Sequence, residues 1–165
     1  MFKEDTLKDK TILITGGGSG LGLEMAKKFA SLGAGIAICG RTESKLESAA
    51  KEISDQGDIQ VEIYQCDVRD YDRVKEMVSE IVDDFGAMDG LVNNAAGNFL
   101  AASEDLTPGG FKTIIDIVLH GSFNCTHTFG NYLIDNKREG NISNICNERL
   151  PMIFESAYAL SVSLC

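Results

Sequence analysis

The chain has 165 residues, of which 44% are hydrophobic and 24% charged, and it carries a formal net charge of −10. That length suits a single domain, able to bury roughly 70% of the surface its unfolded chain exposes. A balance this acidic excludes nucleic acid and an anionic membrane surface as main partners, since both require a basic face.

The first residues are mixed in charge and lack the apolar stretch of a secretory signal, and no apolar run approaches the roughly 18 residues of a membrane helix. Residues 11–15 form a short apolar run that enters a glycine cluster, the pattern of a buried strand followed by a turn. Residues 20–32 have helical spacing, with Leu21, Met25 and Phe29 on one face. A second strand covers 35–39. A second helix covers 43–53, with Leu46, Ala50 and Ile53 inward. A third strand spans 60–65. Asp70 is placed to cap a third helix whose apolar face is Val74, Met77, Val78, Ile81 and Phe85. Residues 90–93 give a short fourth strand. A longer helix starts at Thr107-Pro108, a cap residue followed by proline at the first helical position, and runs toward Asp135. Residues 141–145 give a fifth strand.

Strands alternating with helices predict an α/β fold: a Rossmann-like, doubly wound parallel sheet with helices on both faces. In such a fold the ligand sits at the C-terminal ends of the strands, where the strand order reverses. The cysteines Cys39, Cys66, Cys125, Cys146 and Cys165 are scattered and form no C-x-x-C pair. They suggest neither a disulfide framework nor zinc, and the reducing cytoplasm is the expected location. His120 and His127 read as surface or interface residues, and no metal is expected.

The strongest local signal is Thr15-Gly16-Gly17-Gly18-Ser19-Gly20-Leu21-Gly22. It follows a strand and opens a helix. Glycine permits positive φ, a missing Cβ lets backbone approach a pyrophosphate, and the helix N-terminus presents unpaired N–H groups. At the end of the second strand, where an NAD site carries an acid for the ribose 2′-OH, the chain reads Cys39-Gly40-Arg41. Arg41 can pair with the 2′-phosphate of NADP, with Lys45 one turn further on to assist. NADP(H) is therefore the expected cofactor.

Three motifs, each at a strand end, resemble the short-chain dehydrogenase/reductase family. They are the glycine turn, Cys66-Asp67-Val68 and Asn93-Asn94-Ala95-Ala96-Gly97, and the resemblance runs from about Thr6 to about Ile145. The cofactor-binding residues expected from the turn and the resemblance are Gly16, Gly18, Ser19, Gly20, Leu21, Gly22, Arg41, Asp67, Val68, Asn94 and Ala95. The resemblance implies that the Asp-Val pair contacts adenine.

The stretch through Gly97-Asn98-Phe99, with Leu106-Thr107-Pro108 and residues 113–119, is similar to the 2,4-dienoyl-CoA reductase branch. This implies a substrate, an unsaturated fatty acyl-CoA, reduced by hydride transfer. It also implies that Asn98 is the catalytic asparagine and that Arg69, Phe99 and Thr107 contact the acyl-CoA. Val118 replaces an asparagine usual in the wider family, which fits this branch. Family members commonly associate through the long helix, so a homo-oligomer is expected.

Past Ile145 the pattern departs. Tyr158 stands in a segment like Y-x-x-x-K and is the candidate catalytic tyrosine, but Val162 holds the lysine position and no lysine follows Lys137. The family runs on by about a hundred residues, so the fold is expected to lack the family's last strands, with residues 146–165 a divergent tail. Three readings stay open: a dienoyl-CoA-type reductase, a non-catalytic dinucleotide-binding remnant, and a reductase of a 3-oxoacyl thioester or other carbonyl compound.

Overall fold

The computed structural model of the protein describes residues 5–97 and 105–145. Five strands, β1 (Thr11–Thr15), β2 (Gly35–Gly40), β3 (Val61–Gln65), β4 (Gly90–Asn93) and β5 (Asn141–Asn144), form one parallel sheet in the order β3-β2-β1-β4-β5. The order reverses beside β1, as the doubly wound expectation requires. The central strands β1 and β2 are apolar almost throughout, because helices cover both of their faces. Ile14 pairs with Ile38 on one side and Val92 on the other.

Helices α1 (Gly20–Ala30) and α2 (Glu43–Ser54) pack on one face, over Ile14, Ile36, Ile38 and Val92. The other face, over Leu13, Ala37 and Leu91, is covered by α3 (Tyr71–Phe85) and α5 (Gly121–Asp135). Tyr64 donates from its hydroxyl to Asp84 at 2.8 Å and so ties β3 to α3.

The third helix matches its sequence pattern. Val74, Met77, Val78 and Ile81 are buried, and Asp70 caps the helix by accepting from the Arg73 N–H at 3.1 Å. Gly86, at φ +78°, closes its C-terminus in the left-handed conformation.

Three details differ from the sequence reading. In α1 the expected stripe of Leu21, Met25 and Phe29 is not the one that is buried. Gly22, Ala26 and Ala30 face the sheet, while Leu21 is 60% exposed. Both stripes have the same spacing, and the smaller one lets the helix axis approach the first turn closely. In α2 the buried residue between Leu46 and Ile53 is Ala49, with Ala50 only partly covered. The two alanines flank the Leu46–Ile53 line on opposite sides, and the sheet lies on the side of Ala49.

The long helix, finally, is not uniform. It begins as α4 (Pro108–Ile115), opens into a π-helical turn at Asp116–His120 and resumes as α5. Such turns insert one extra residue and often mark functional positions.

At the outer end of the sheet, all four residues of β5 are exposed. Among the described residues no helix is long and apolar enough to cross a membrane, and no group of three or more metal-ligating side chains gathers.

Candidate cofactor-binding cleft

The turn after β1 is shaped by its glycines. Gly16 and Gly20 adopt positive φ, +67° and +56°. Gly22 is needed for space. A Cβ there would stand 2.5 Å from the Gly16 carbonyl oxygen and 2.6 Å from Asn94 Nδ2. Ser19, the cap residue of α1, makes no side-chain capping bond, and the first turn holds no acid. In α3 and α4 an Asp70 or Thr107 side chain meets the first N–H groups. The amino end of α1 thus keeps its unpaired donors and partial positive charge for a ligand.

A hydrogen-bond latch joins this turn to the end of β4. Thr15 is 1% exposed. Its Oγ1 accepts from the backbone N–H of Asn94 and of Ala95, both at 2.9 Å, and donates to the Val92 carbonyl at 3.3 Å. Asn94 Nδ2 donates back to the Thr15 carbonyl at 2.9 Å. Asn93 Nδ2 donates to Thr126 Oγ1 at 3.0 Å and to Asn144 Oδ1 at 2.9 Å, tying the ends of β4 and β5 to the body of α5.

These elements enclose a cleft of about 320 Å³ at the C-terminal ends of the strands. Gly16, Gly18 and Ser19 supply its floor, Arg41 and Lys45 one end, and Asp67, Val68, Asn94 and Ala95 its walls. Ile117 projects into it from the π-helical turn. Neither Arg41 nor Lys45 forms an ion pair among the described residues, although the Arg41 carbonyl accepts from Gln65 Nε2 at 3.1 Å. An elongated anion fits this donor set: unpaired helix N–H groups at the floor and two free cations at one end.

The short chain dehydrogenase family model matches residues 10–161. The chain belongs to that family. The match continues past Ile145, where the sequence motifs lose their pattern. The chain is 44% identical over 140 residues to a probable (2E)-enoyl-CoA-producing 2,4-dienoyl-CoA reductase of Bacillus subtilis, covering 84% of this chain and 54% of that protein. It is 45% identical over 132 residues to a peroxisomal 2,4-dienoyl-CoA reductase of Arabidopsis thaliana, covering 80% and 44%. A crystal structure of a short chain dehydrogenase from Bacillus anthracis superposes with a TM-score of 0.86 at 40% identity, covering 96% of this chain and 66% of that one. The chain thus spans about half the length of the curated relatives it matches.

As a member of that family, the chain brings most of its expected cofactor residues into one cleft: Gly16, Gly18, Ser19, Arg41, Asp67, Val68, Asn94 and Ala95 all line it. Gly20, Leu21 and Gly22 shape the start of α1 but do not line the cleft. Arg69, expected to reach an acyl-CoA, is held by Asp67. Its Nε lies 2.9 and 3.1 Å from the two carboxylate oxygens, and its Nη2 lies 2.5 Å from Oδ2. That hydrogen-bonded guanidinium lowers the Asp67 pKa below the usual value, so this wall of the cleft carries a carboxylate at neutral pH. Thr107 accepts from the Gly110 N–H at 3.1 Å as the cap of α4. Asn98, Phe99 and Tyr158 lie outside the described residues.

The sequence reading gave no role to Thr15, Ile117 or Asn124. Thr15 carried a usable signal, a hydroxyl at the end of a buried apolar strand, which demands a partner. Cys39 and Cys66 also border the cleft. Burial pushes the Cys66 thiol up to about 11 and the Cys39 thiol well above its ordinary value, so both stay protonated at neutral pH.

Proposed function

We propose that this chain binds NADP(H) in the cleft and serves a reductase of the 2,4-dienoyl-CoA type. The observation that carries the cofactor choice is the end of β2. Arg41 there and Lys45 in the first turn of α2 form no ion pair among the described residues, and residues 39–41 include no acid. A 2′-phosphate supplies the missing counter-charge, and the forked guanidinium suits it. The uncapped amino end of α1 would hold the pyrophosphate, and Asp67 and Val68 would contact the adenine.

When bound, the reduced nicotinamide supplies a hydride. The family resemblance and the two dienoyl-CoA reductases above support an unsaturated acyl thioester as its acceptor. Asn98 is assigned to donate a hydrogen bond to the thioester oxygen, where negative charge builds. Arg69, Phe99 and Thr107 are assigned by the resemblance to contact the acyl-CoA, and Tyr158 is the candidate proton donor. Exposed Phe111 on α4, Leu119 in the π-helical turn and Phe123 on α5 support association of copies through this long helix.

Arg41→Leu is expected to weaken NADPH binding tenfold or more, because a charge-assisted hydrogen bond contributes about 1.5–3 kcal/mol and 1.4 kcal/mol is a factor of ten. NADH binding should be unchanged. Fluorescence titration of the reduced nicotinamide measures both, and equal losses for the two cofactors would contradict the 2′-phosphate assignment. Turnover assays with a dienoyl-CoA and a 3-oxoacyl-CoA test the substrate. Activity on the first supports the proposal, activity on the second alone selects a carbonyl reductase, and activity on neither leaves a binding protein.

A further inference from the structure

The loop that carries Asp67 and Val68 is gripped from behind by α5. Asn124, in the first turn of that helix, is 9% exposed, and its Nδ2 donates to the Val68 carbonyl at 2.9 Å and the Arg69 carbonyl at 3.3 Å. No other described hydrogen bond reaches either oxygen. One turn earlier Gly121 lets the helix come close, since a Cβ there would stand 2.5 Å from Val68 Cγ2. Ile117, another turn back, lines the same cleft as Val68.

We propose that Asn124 is a positioning residue for the adenine end of the cofactor, an inference that rests on reading the cleft as a dinucleotide site. Two successive peptide carbonyls need two donors in fixed relation. A primary amide of this length supplies both from one nitrogen, whereas a hydroxyl supplies one and a carboxylate none. With both carbonyls drawn toward α5, the Asp67-Val68 segment is held at the cleft wall. The internal bonds of the loop, Arg69 N–H to Asp67 Oδ1 at 3.1 Å and Asp70 N–H to the Asp67 carbonyl at 2.9 Å, then close the turn around that fixed point. Without the amide the loop retains its internal closure but loses its registration against the helix, so its effect falls on the adenine half of the ligand alone.

The test titrates 2′,5′-ADP and, separately, reduced nicotinamide mononucleotide into the unaltered chain, Asn124→Leu and Asn124→Asp. Both variants should bind 2′,5′-ADP about tenfold more weakly, the loss expected from two unmet carbonyls, and should bind the mononucleotide as before. A general loosening of the fold would weaken both ligands alike, and that result overturns the proposal. So does unchanged 2′,5′-ADP binding in both variants. If the unaltered chain binds neither ligand, the dinucleotide reading fails and takes this inference with it. If neither variant folds, hydrogen exchange on the unaltered chain decides. 2′,5′-ADP should slow exchange at residues 68–70 and 121–125 together, and protection of the loop without the helix overturns the proposal.

Discussion

Gly22→Ala is expected to abolish saturable dinucleotide binding and to lower stability by about 1–3 kcal/mol, the usual cost of forcing extra volume into a packed contact. The added carbon would lie 2.5 Å from the Gly16 carbonyl oxygen and 2.6 Å from Asn94 Nδ2. Neither neighbour is free to give way. Gly16 is held at φ +67° with its N–H bonded to the Cys39 carbonyl at 2.8 Å, and Asn94 is bonded to the Thr15 carbonyl. The start of α1 must therefore retreat, and the N–H groups at the floor of the cleft retreat with it. Urea unfolding reads the stability and nicotinamide fluorescence reads the binding. A variant that matched the parent in both would show that α1 does not pack against the turn at this distance.

Thr15→Val should cost about 2–6 kcal/mol, although the side chains have nearly the same shape. The hydroxyl is the acceptor for the N–H groups of both Asn94 and Ala95. A methyl group in its place leaves two donors unmet beside a residue that is 1% exposed, and each such donor costs about 1–3 kcal/mol. Thr15→Ser retains the oxygen and should lose far less, through one methyl group. The comparison by urea denaturation separates the hydrogen bonds from the packing. Equal losses in the two variants would mean that the methyl, not the hydroxyl, joins the turn to β4.

The difference between what was legible in the sequence and what was not lies in the range of the interactions. Strands β1, β2 and β4 were readable because burial on both faces leaves an apolar run, and α3 was readable because its five apolar residues keep one helical stripe. The glycine turn was readable because its backbone geometry restricts the residue type at each place. Face selection in α1 was not, since Leu21-Met25-Phe29 and Gly22-Ala26-Ala30 share one period. The choice between them depends on how near the helix must come to Gly16. The π-helical turn at Asp116–His120 was also hidden, because one inserted residue hardly alters the local pattern while it turns Ile117 into the cleft. Asn124 and the Thr15 latch depend on partners 55 to 80 positions away in the chain. Only a polar residue on an otherwise buried face marked them beforehand.

On the function proposed above, this five-stranded unit holds a dinucleotide and reads its 2′-phosphate through Arg41. Titrating NADPH and NADH into the purified 165-residue chain, with nicotinamide fluorescence as the signal, tests it most directly. Saturable binding of NADPH, at least about tenfold tighter than NADH, is the expected result. Equal affinities, a preference for NADH, or no binding of either would contradict it.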